Sequence, residues 1–270
     1  MLYHYTSIDS LVQILESKTL KLNNLTACDD LEEAESMDLG KAGKYVFVSS
    51  WTDEKNESIP MWSQYSGNMS GVRIGMKEYP FKKWHYDNEG KGKPFDSFLN
   101  LDKYFNENKM VFTGDQPKLI RVEYSEDENL ILPKIVKEGT KEDVERFLHG
   151  EDSKITLSFD TIGRYKRTCW KFQREFRYRV FGTPMGFNDY EHASDEKKIR
   201  LQREVIRRMF DESYKPLYQA LYIELDEAAI EDMEIVFGPR MNNSEKTLLK
   251  SYLQSKGLAS NCMDSSLRIR

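Results

Sequence analysis

The most regular alternation of hydrophobic and polar residues lies between Trp170 and Phe181, in the stretch W-K-F-Q-R-E-F-R-Y-R-V-F. One face is hydrophobic and the other polar; the first contains Phe172, Phe176, Tyr178 and Val180, and the second contains Gln173, Glu175, Arg177 and Arg179. A period of two among aromatic and β-branched residues is typical of a strand with one buried face. The pattern therefore predicts a half-buried strand.

The apolar spacing elsewhere predicts further strands and helices. Strands are predicted at Leu2–Tyr5, Leu20–Leu22, Tyr45–Ser50, Gly71–Met76, Leu119–Tyr124, Ala220–Leu225, Met233–Phe237 and Leu267–Ile269. Helices are predicted from a Thr6 or Ser7 cap to Ser17, at Ile59–Tyr65, from a Thr140–Asp143 capping box to His149, at Lys154–Thr168, at Glu196–Phe210, and from a Ser244 cap to Lys256. No linker divides the chain, so the sequence predicts one α+β domain over residues 1–270, with a hairpin or an insertion within 79–115.

The charges of the alternating stretch give it a candidate chemistry. Glu175 is the only acid between positions 164 and 179, among seven cations: Arg164, Lys166, Arg167, Lys171, Arg174, Arg177 and Arg179. A lone glutamate among cations is a candidate anchor for catalysis on a phosphate-bearing substrate. The stretch taken alone favours a plainer interpretation, a charged strand edge with Glu175 paired to an arginine, because structural ion pairs are common. The acidic segment from Asn23 to Ser36 is interpreted as a solvated loop with a helical turn.

Composition narrows the class of protein. The 270 residues are 39% hydrophobic and 31% charged, with a net charge of −5, so any contact with nucleic acid needs a local basic patch. Three distant cysteines, Cys28, Cys169 and Cys262, favour a reducing compartment. No secretory leader and no apolar run of about 18 residues is visible, so we expect a cytoplasmic protein that makes no membrane contact.

Standard catalytic and metal-binding motifs are absent. There is no Gly-rich phosphate loop, and no histidine has a partner at metal-ligand spacing, so no metal site is predicted. His4 differs from the other histidines because it lies in a short aromatic strand directly before a capped helix. A histidine in such a place is more often a hydrogen-bonded core residue than a catalyst.

Three segments in order resemble the ADP-ribosyltransferase superfamily. They are the histidine-bearing strand and helix at Tyr3–Ser17, the strand ending at Ser49-Ser50 with the Tyr65 helix after it, and Gln173-Arg174-Glu175, which resembles the Q-x-E form of the terminal glutamate motif. The chain is also similar to a bacterial family known only as a domain of unknown function. The shared motifs are Tyr3-His4-Tyr5, M-W-x-x-Y from Met61, W-x-F-Q-x-E-F-R from Trp170 and I-V-F-G-P from Ile235.

The resemblance implies split mixed and antiparallel sheets with flanking helices, and a site that uses NAD as substrate. Glu175 and Gln173 would be catalytic, although many members of the second family have Glu where this chain has Gln173. The residues implied for NAD binding are His4, Tyr5, Thr6, Ser49, Ser50, Trp62, Tyr65 and Arg177. Within this set, Tyr65 and Trp62 would stack on nicotinamide, and Arg177 or Lys171 would meet the pyrophosphate.

The leading hypothesis is transfer of ADP-ribose from NAD to a protein, RNA or DNA acceptor. A toxin or anti-phage effector is the candidate biological role, and an antitoxin or other partner protein is a candidate partner whose presence the sequence does not show. The basic run favours a nucleic-acid acceptor weakly. NAD hydrolysis is the close variant, and a non-catalytic nucleotide- or protein-binding module of the same fold is the alternative. A magnesium nuclease built on Asp29, Asp30 and Glu32 has only the crowding of carboxylates to support it.

Overall fold

The computed structural model describes residues 1–87, 93–107, 111–112, 114–151, 153–183, 193–211, 213–215 and 218–269. The strands in these ranges are β1 Leu2–Thr6, β2 Thr19–Asn24, β3 Val46–Thr52, β4 Val72–Met76, β5 Trp84–Tyr86, β6 Phe95–Ser97, β7 Val111–Phe112, β8 Lys118–Arg121, β9 Glu123–Tyr124, β10 Val136–Glu138, β11 Thr156–Leu157, β12 Tyr165–Lys166, β13 Glu175–Thr183, β14 Ala220–Glu224, β15 Glu234–Phe237 and β16 Cys262–Asp264. The α-helices are α1 Ile8–Ser17, α2 Ile59–Tyr65, α3 Glu128–Ile131, α4 Lys141–His149, α5 Asp195–Phe210, α6 Glu227–Glu231 and α7 Asn243–Ser255. Short 3₁₀ turns lie at Leu25–Ala27, Glu32–Ala34, Ala42–Tyr45, Thr168–Gln173 and Ala259–Asn261, and a π-helical turn lies at Asp102–Glu107.

The main sheet splits along strand β3. Strand β13 pairs with one edge of β3 over its whole length, from Phe181 opposite Val46 to Glu175 opposite Thr52. The other edge is shared, because β2 pairs with Phe47 and Val48, and β1 pairs with Thr52. Beyond the split, β14 continues the sheet past β2, and β4, β15 and β16 continue it past β1. A slot therefore opens between β1 and β2 opposite residues 49–51.

Helix α1 joins the two strands that flank the slot. Ser7 caps it as the sequence predicted, since its side-chain oxygen accepts a hydrogen bond from the Ser10 N–H at 3.1 Å. Leu11, Ile14 and Leu15 are buried in the core on one side of the sheet, and burial of each contributes about 1.5–3 kcal/mol. The helix is thus fixed against the sheet beside the slot.

The alternating stretch differs from the prediction in two ways. Thr168–Gln173 is a 3₁₀ turn, and Arg174 has φ +44°, so the strand begins only at Glu175. Strand β13 is also central, with β3 on one edge and β8 on the other. Both of its faces are buried, so it is neither a half-buried strand nor a charged strand edge.

Other element predictions agree with the structure more closely. Helices at Ile59–Tyr65 and after the Thr140–Asp143 capping box are confirmed, and the α5 prediction is one residue short. The helix predicted over Lys154–Thr168 is wrong, because this segment forms two short strands and a turn in which Gly163 has φ +72°. A side chain at Gly163 would also meet Leu25, with its Cβ 2.9 Å from Cδ2.

The C-terminal predictions need two corrections. Helix α7 begins after Asn242, which forms a capping box with Glu245, and not after Ser244. No strand forms at 267–269; the last strand is instead β16, which pairs in parallel with β15. Within the 79–115 range, β5 and β6 form a hairpin, while residues 88–92, 108–110 and 113 lie outside the described part.

The α+β class with mixed and antiparallel sheets is confirmed. The single-domain boundary at 1–270 stays a prediction. Among the described residues, no helix is both long enough and apolar enough to cross a lipid bilayer.

Candidate active site

A cavity of about 400 Å³ opens at the split in the sheet. Its walls come from β1, α1, β2, the acidic loop after β2, β3, α2 and the segment that leads into β13. Nine of the ten predicted site residues line it: His4, Tyr5, Thr6, Ser49, Ser50, Tyr65, Gln173, Glu175 and Arg177. These residues are far apart in the chain, and the split brings them to one place.

Glu175 is held on both of its carboxyl oxygens. Its Oε2 atom accepts a hydrogen bond from Lys166 Nζ at 2.9 Å, and its Oε1 atom accepts one from Arg177 Nε at 2.5 Å. A third bond comes from Arg177 Nη2 at 3.2 Å, and the Ser50 hydroxyl also donates to the carboxylate. Glu175, Lys166 and Arg177 are all at most 5% exposed, so the ion cluster is buried.

Arg177 and Lys166 keep Glu175 in its ionised form. Burial alone would raise its pKa, but the charges of Arg177 and Lys166 and the hydrogen bonds from Arg177 and Ser50 lower the pKa to about 2. Arg177 is in turn held by the Gly163 carbonyl at 2.9 Å, and its pKa is raised above its usual value despite burial. Glu175 is therefore an anion at neutral pH.

A second carboxylate, Glu33, belongs to the same cluster. Its Oε2 atom lies 2.5 Å from Arg177 Nη2 and 3.8 Å from Lys166 Nζ. Glu33 is 2% exposed, so the prediction of a solvated acidic loop is wrong for this residue and for Asp30, which is 6% exposed. Gly43 allows this burial, because a side chain there would place its Cβ 2.6 Å from the Ala34 Cα.

Gln173 connects the cluster to α2. Its Oε1 atom accepts a hydrogen bond from Lys166 Nζ at 3.0 Å, and its Nε2 atom donates to the Tyr65 hydroxyl at 2.5 Å. Burial, Asp29 and Glu175 raise the pKa of Tyr65 well above its usual value, so its hydroxyl stays protonated and also bonds Asp29. The sequence predicted that Gln173 and Glu175 share one face of a strand. In the structure Gln173 instead ends the 3₁₀ turn before the strand, and Lys166 bonds both side chains.

His4 contacts the same part of β3 from the other side of the slot. Its Nδ1 atom lies 2.7 Å from the Ser50 carbonyl oxygen. Since a carbonyl only accepts, Nδ1 carries the proton, and Nε2 is an acceptor without a hydrogen-bond donor among the described residues. Burial lowers the pKa of His4, and the bond to Ser50 offsets this only in part. Ser49 accepts a hydrogen bond from Trp51 Nε1 at 3.0 Å and is therefore occupied by the core.

Trp62 is the predicted site residue that does not line the cavity. It is 0% exposed, packs edge-on against Tyr5 with ring centroids 4.9 Å apart, and donates to Glu57 Oε2 at 3.0 Å. Its ring therefore has no face open to a ligand, so the structure does not support the stacking on nicotinamide that the resemblance implies for this residue. Tyr5 is itself 3% exposed, and its hydroxyl accepts a bond from the Ser58 N–H at 3.0 Å.

The basic run does not form a free cationic surface. Arg164 pairs with Glu123, and Arg174 with Asp53 and Glu54. Arg167 joins three acids, Glu32, Glu126 and Glu128. This pairing makes the run less positive than its sequence suggested, and a nucleic-acid acceptor stays a prediction.

Comparison with known proteins gives a match to part of the chain and no activity. A family model described as "Protein of unknown function (DUF2971)" matches residues 61–178. The match begins within α2 and ends within β13, and so includes Tyr65, Lys166, Gln173, Glu175 and Arg177. It agrees with the predicted likeness to a family of unknown function. No curated protein and no solved structure matches the chain.

Sequence reasoning missed Lys166 and Glu33 as site residues. Lys166 was one of seven undistinguished cations, and it was placed in a helix that does not form. Glu33 was one of five acids in a loop, and local sequence carries no signal that one of them is buried against Arg177. Only the tertiary contacts distinguish these two residues from their neighbours.

Proposed function

We propose that this chain is an ADP-ribosyltransferase, which cleaves the nicotinamide–ribose bond of NAD and transfers ADP-ribose to a macromolecular acceptor. The observation that carries the proposal is the meeting of His4 from β1, Tyr65 from α2 and Glu175 from β13 in one cavity. Their order along the chain and their element types match those of the superfamily that the sequence resembles.

The state of Glu175 suits the proposed reaction. Cleavage of the bond to nicotinamide passes through a state resembling an oxocarbenium ion, as glycoside cleavage does. A carboxylate with a pKa of about 2 remains charged and stabilises that positive charge. Its four contacts occupy its lone pairs, and the Ser50 hydroxyl is the neutral one, so it is the contact that a ribose hydroxyl would replace.

Two further side chains would orient NAD. The free Nε2 atom of His4 would accept a hydrogen bond from the second ribose, because Nδ1 is already committed to Ser50. The Tyr65 ring would pack on the cationic nicotinamide, a contact worth about 1 kcal/mol or more when water is excluded. Trp62 has no part in this arrangement, because its ring is enclosed.

The test uses NAD labelled separately in the nicotinamide and in the adenylate. We expect the wild-type protein to release nicotinamide and to label a macromolecule in a cell extract. Glu175→Gln should lower both rates about 10²- to 10³-fold, since it removes the charge that the transition state needs. Glu123→Gln is the matched control, because Glu123 is an exposed glutamate paired to an arginine and should behave like the wild type. If Glu175→Gln left both rates unchanged, the catalytic role proposed for Glu175 would be wrong.

A non-catalytic nucleotide-binding module is the second candidate. It is favoured by the full engagement of the Glu175 carboxylate with Lys166, Arg177 and Ser50. Such a module would bind NAD or ADP-ribose in calorimetry without releasing nicotinamide. Nicotinamide release without labelled acceptor would instead identify an NAD glycohydrolase.

The biological role rests on the resemblance alone. A toxin or anti-phage effector would arrest growth when expressed in bacteria, and Glu175→Gln would relieve the arrest. If an antitoxin or partner protein restrains the enzyme, co-expression with neighbouring genes should restore growth to cells carrying the wild-type protein.

A further inference from the structure

Glu33 is a buried carboxylate that the proposed roles leave unused. Its side chain is 0% exposed, and its Oε1 atom has no hydrogen-bond donor in the described part of the chain. Its Oε2 atom is paired with Arg177 Nη2 at 2.5 Å. Buried acceptors are nearly always satisfied, so a buried carboxyl oxygen without a donor is a candidate for contact with a bound molecule. Glu33 lines the cavity, so a ligand in the cavity is the partner that the position admits.

The position of Glu33 is tied to that of Glu175. A single atom, Arg177 Nη2, lies 2.5 Å from Glu33 Oε2 and 3.2 Å from Glu175 Oε2. Lys166 also lies between them, 3.8 Å from Glu33 and 2.9 Å from Glu175. The two carboxylates therefore flank one pair of cations, on two different segments of the chain.

Transfer to an acceptor needs a group that takes a proton, and the other candidates are unsuited to this. Gln173 has an amide in place of an acid, and both ends of the amide are bonded. Both carboxyl oxygens of Glu175 already accept hydrogen bonds from Lys166 or Arg177. Asp29 is exposed and bonds Tyr65. His4 already donates its Nδ1 proton to the Ser50 carbonyl oxygen.

We propose that Glu33 is the general base of this site, which takes the proton of the acceptor as ADP-ribose is transferred. The inference rests on the proposed function. The acceptor O–H or N–H proton passes to a Glu33 oxygen, and the acceptor lone pair forms the bond to the ribose C1′. The bond from C1′ to nicotinamide breaks, its electron pair stays on the ring nitrogen, and neutral nicotinamide leaves. Glu33 then loses its proton to solvent.

The charges around Glu33 set the pH dependence. The groups that face it are Arg177 and Glu175 on β13, Lys166 on β12 and Cys28 in its own loop. Burial raises the pKa of Glu33, and the negative charge of Glu175 raises it further. Arg177 and Lys166 lower this pKa, but the net shift is upward. Burial also raises the pKa of Cys28 to about 12, so the thiol is neutral and does not titrate with Glu33. Paired carboxyls with separated pKa values are typical of distinct acid–base roles.

The experiment measures NAD binding, nicotinamide release and acceptor labelling for the wild type, Glu33→Gln and Glu33→Asp. Glu33→Gln keeps the side-chain volume and should keep the KM for NAD, while kcat for transfer falls about 10²- to 10⁴-fold. The wild-type rate should rise with pH through one ionisation, and this limb should be missing from Glu33→Gln. Glu33→Asp should retain the limb at a lower rate.

Glu33→Ala adds a measurement whose result would not change if Glu33 had only a structural role. Azide attacks C1′ without needing a base, so it should restore nicotinamide release to Glu33→Ala but add nothing to Glu123→Ala. The role of Glu33 is overturned if Glu33→Gln keeps the wild-type pH profile, or if it loses NAD binding together with activity. A wild-type protein that binds no NAD overturns the proposed function itself, which the binding measurement reports separately.

Discussion

Lys166 Nζ lies 2.9 Å from Glu175 Oε2, and the two side chains are 5% and 4% exposed. Charges buried this deeply carry a desolvation cost that only a close partner offsets. Glu175 keeps its charge because Lys166 and Arg177 share it, and each cation also contacts Glu33. The cluster is therefore a single unit in which the loss of one charge changes the electrostatic environment of the others.

The first prediction concerns removal of Lys166. Lys166→Met should lower the free energy of unfolding by about 3 kcal/mol, because it leaves part of a buried ion cluster without its partner. Urea denaturation measures the change. Lys256→Met is the control, since Lys256 makes an exposed pair with Glu16 and its loss should leave stability nearly unchanged. Equal effects of the two substitutions would contradict the burial of the cluster.

The second prediction concerns stability in acid. The folded-state pKa of Glu175 is about 2 against an unperturbed value of 4.5, so its ionised form stabilises the fold at pH values above 4.5. This contribution, on the order of 3 kcal/mol, should be lost as pH falls from about 4.5 towards 2. The stability difference between the wild type and Glu175→Gln should therefore shrink over that range.

Glu33 should show the opposite sign. Its pKa is raised, so its contribution is present below the unfolded-state pKa and is lost as pH rises through the folded-state value. Urea titrations of Glu33→Gln and Glu175→Gln at several pH values separate the two trends. A stability difference for Glu175→Gln that stays constant from pH 6 to pH 3 would rule out the depressed pKa.

The third prediction separates two aromatic residues of α2. Trp62→Phe should lower the free energy of unfolding by about 1–3 kcal/mol, because it removes the buried bond to Glu57 and some packing, and should leave NAD affinity unchanged. Tyr65→Leu should instead weaken NAD binding roughly tenfold through loss of the aromatic face. Calorimetry and thermal unfolding report both quantities, and a weaker NAD affinity for Trp62→Phe would contradict the enclosed position of Trp62.

The fourth prediction concerns the proton on His4. Burial lowers its pKa, whereas hydrogen bonding to Asp96 raises the pKa of the exposed His85. On acidification from pH 8, His85 should therefore gain its proton before His4 does. Nitrogen-15 shifts should also show His4 protonated at Nδ1 and bare at Nε2. A doubly protonated His4 at pH 7 would leave no acceptor for a ribose hydroxyl.

The elements with strong local signals were the predictable part of the fold. A Thr6 or Ser7 cap and the apolar spacing of Ile8, Leu11, Val12 and Leu15 predict α1 without any tertiary information. The segment around Gly163 has no such signal, because its conformation depends on the approach of Leu25. The strand at Glu175 was found, but its start was misplaced, because the left-handed residue before it is Arg174 and not glycine.

The sequence allowed most residues of the candidate site to be named, but it did not show which of them contact one another. The resemblance selected His4, Tyr65 and Glu175, which the fold brings to one cavity. Burial and pairing could not be read from the sequence, because they depend on which acid lies against which cation. The resemblance implied Arg177 or Lys171 for the pyrophosphate, while the plainer interpretation paired Glu175 with an arginine. The structure commits the Arg177 guanidinium to Glu175, Glu33 and the Gly163 carbonyl.

The slot between β1 and β2 has a consequence for the energetics of binding. Both strands run antiparallel to β3, so they are parallel to each other, and α1 links them as the crossover of a βαβ unit whose strands are held apart. The opening is thus held by a ten-residue helix packed on the core, and no ligand is needed to separate the strands. Binding of a ligand in the slot therefore needs little reorganisation of the backbone, and the binding free energy is reduced less by that cost. Deleting one turn of α1 should draw the strands together and abolish binding, even with every cavity side chain intact.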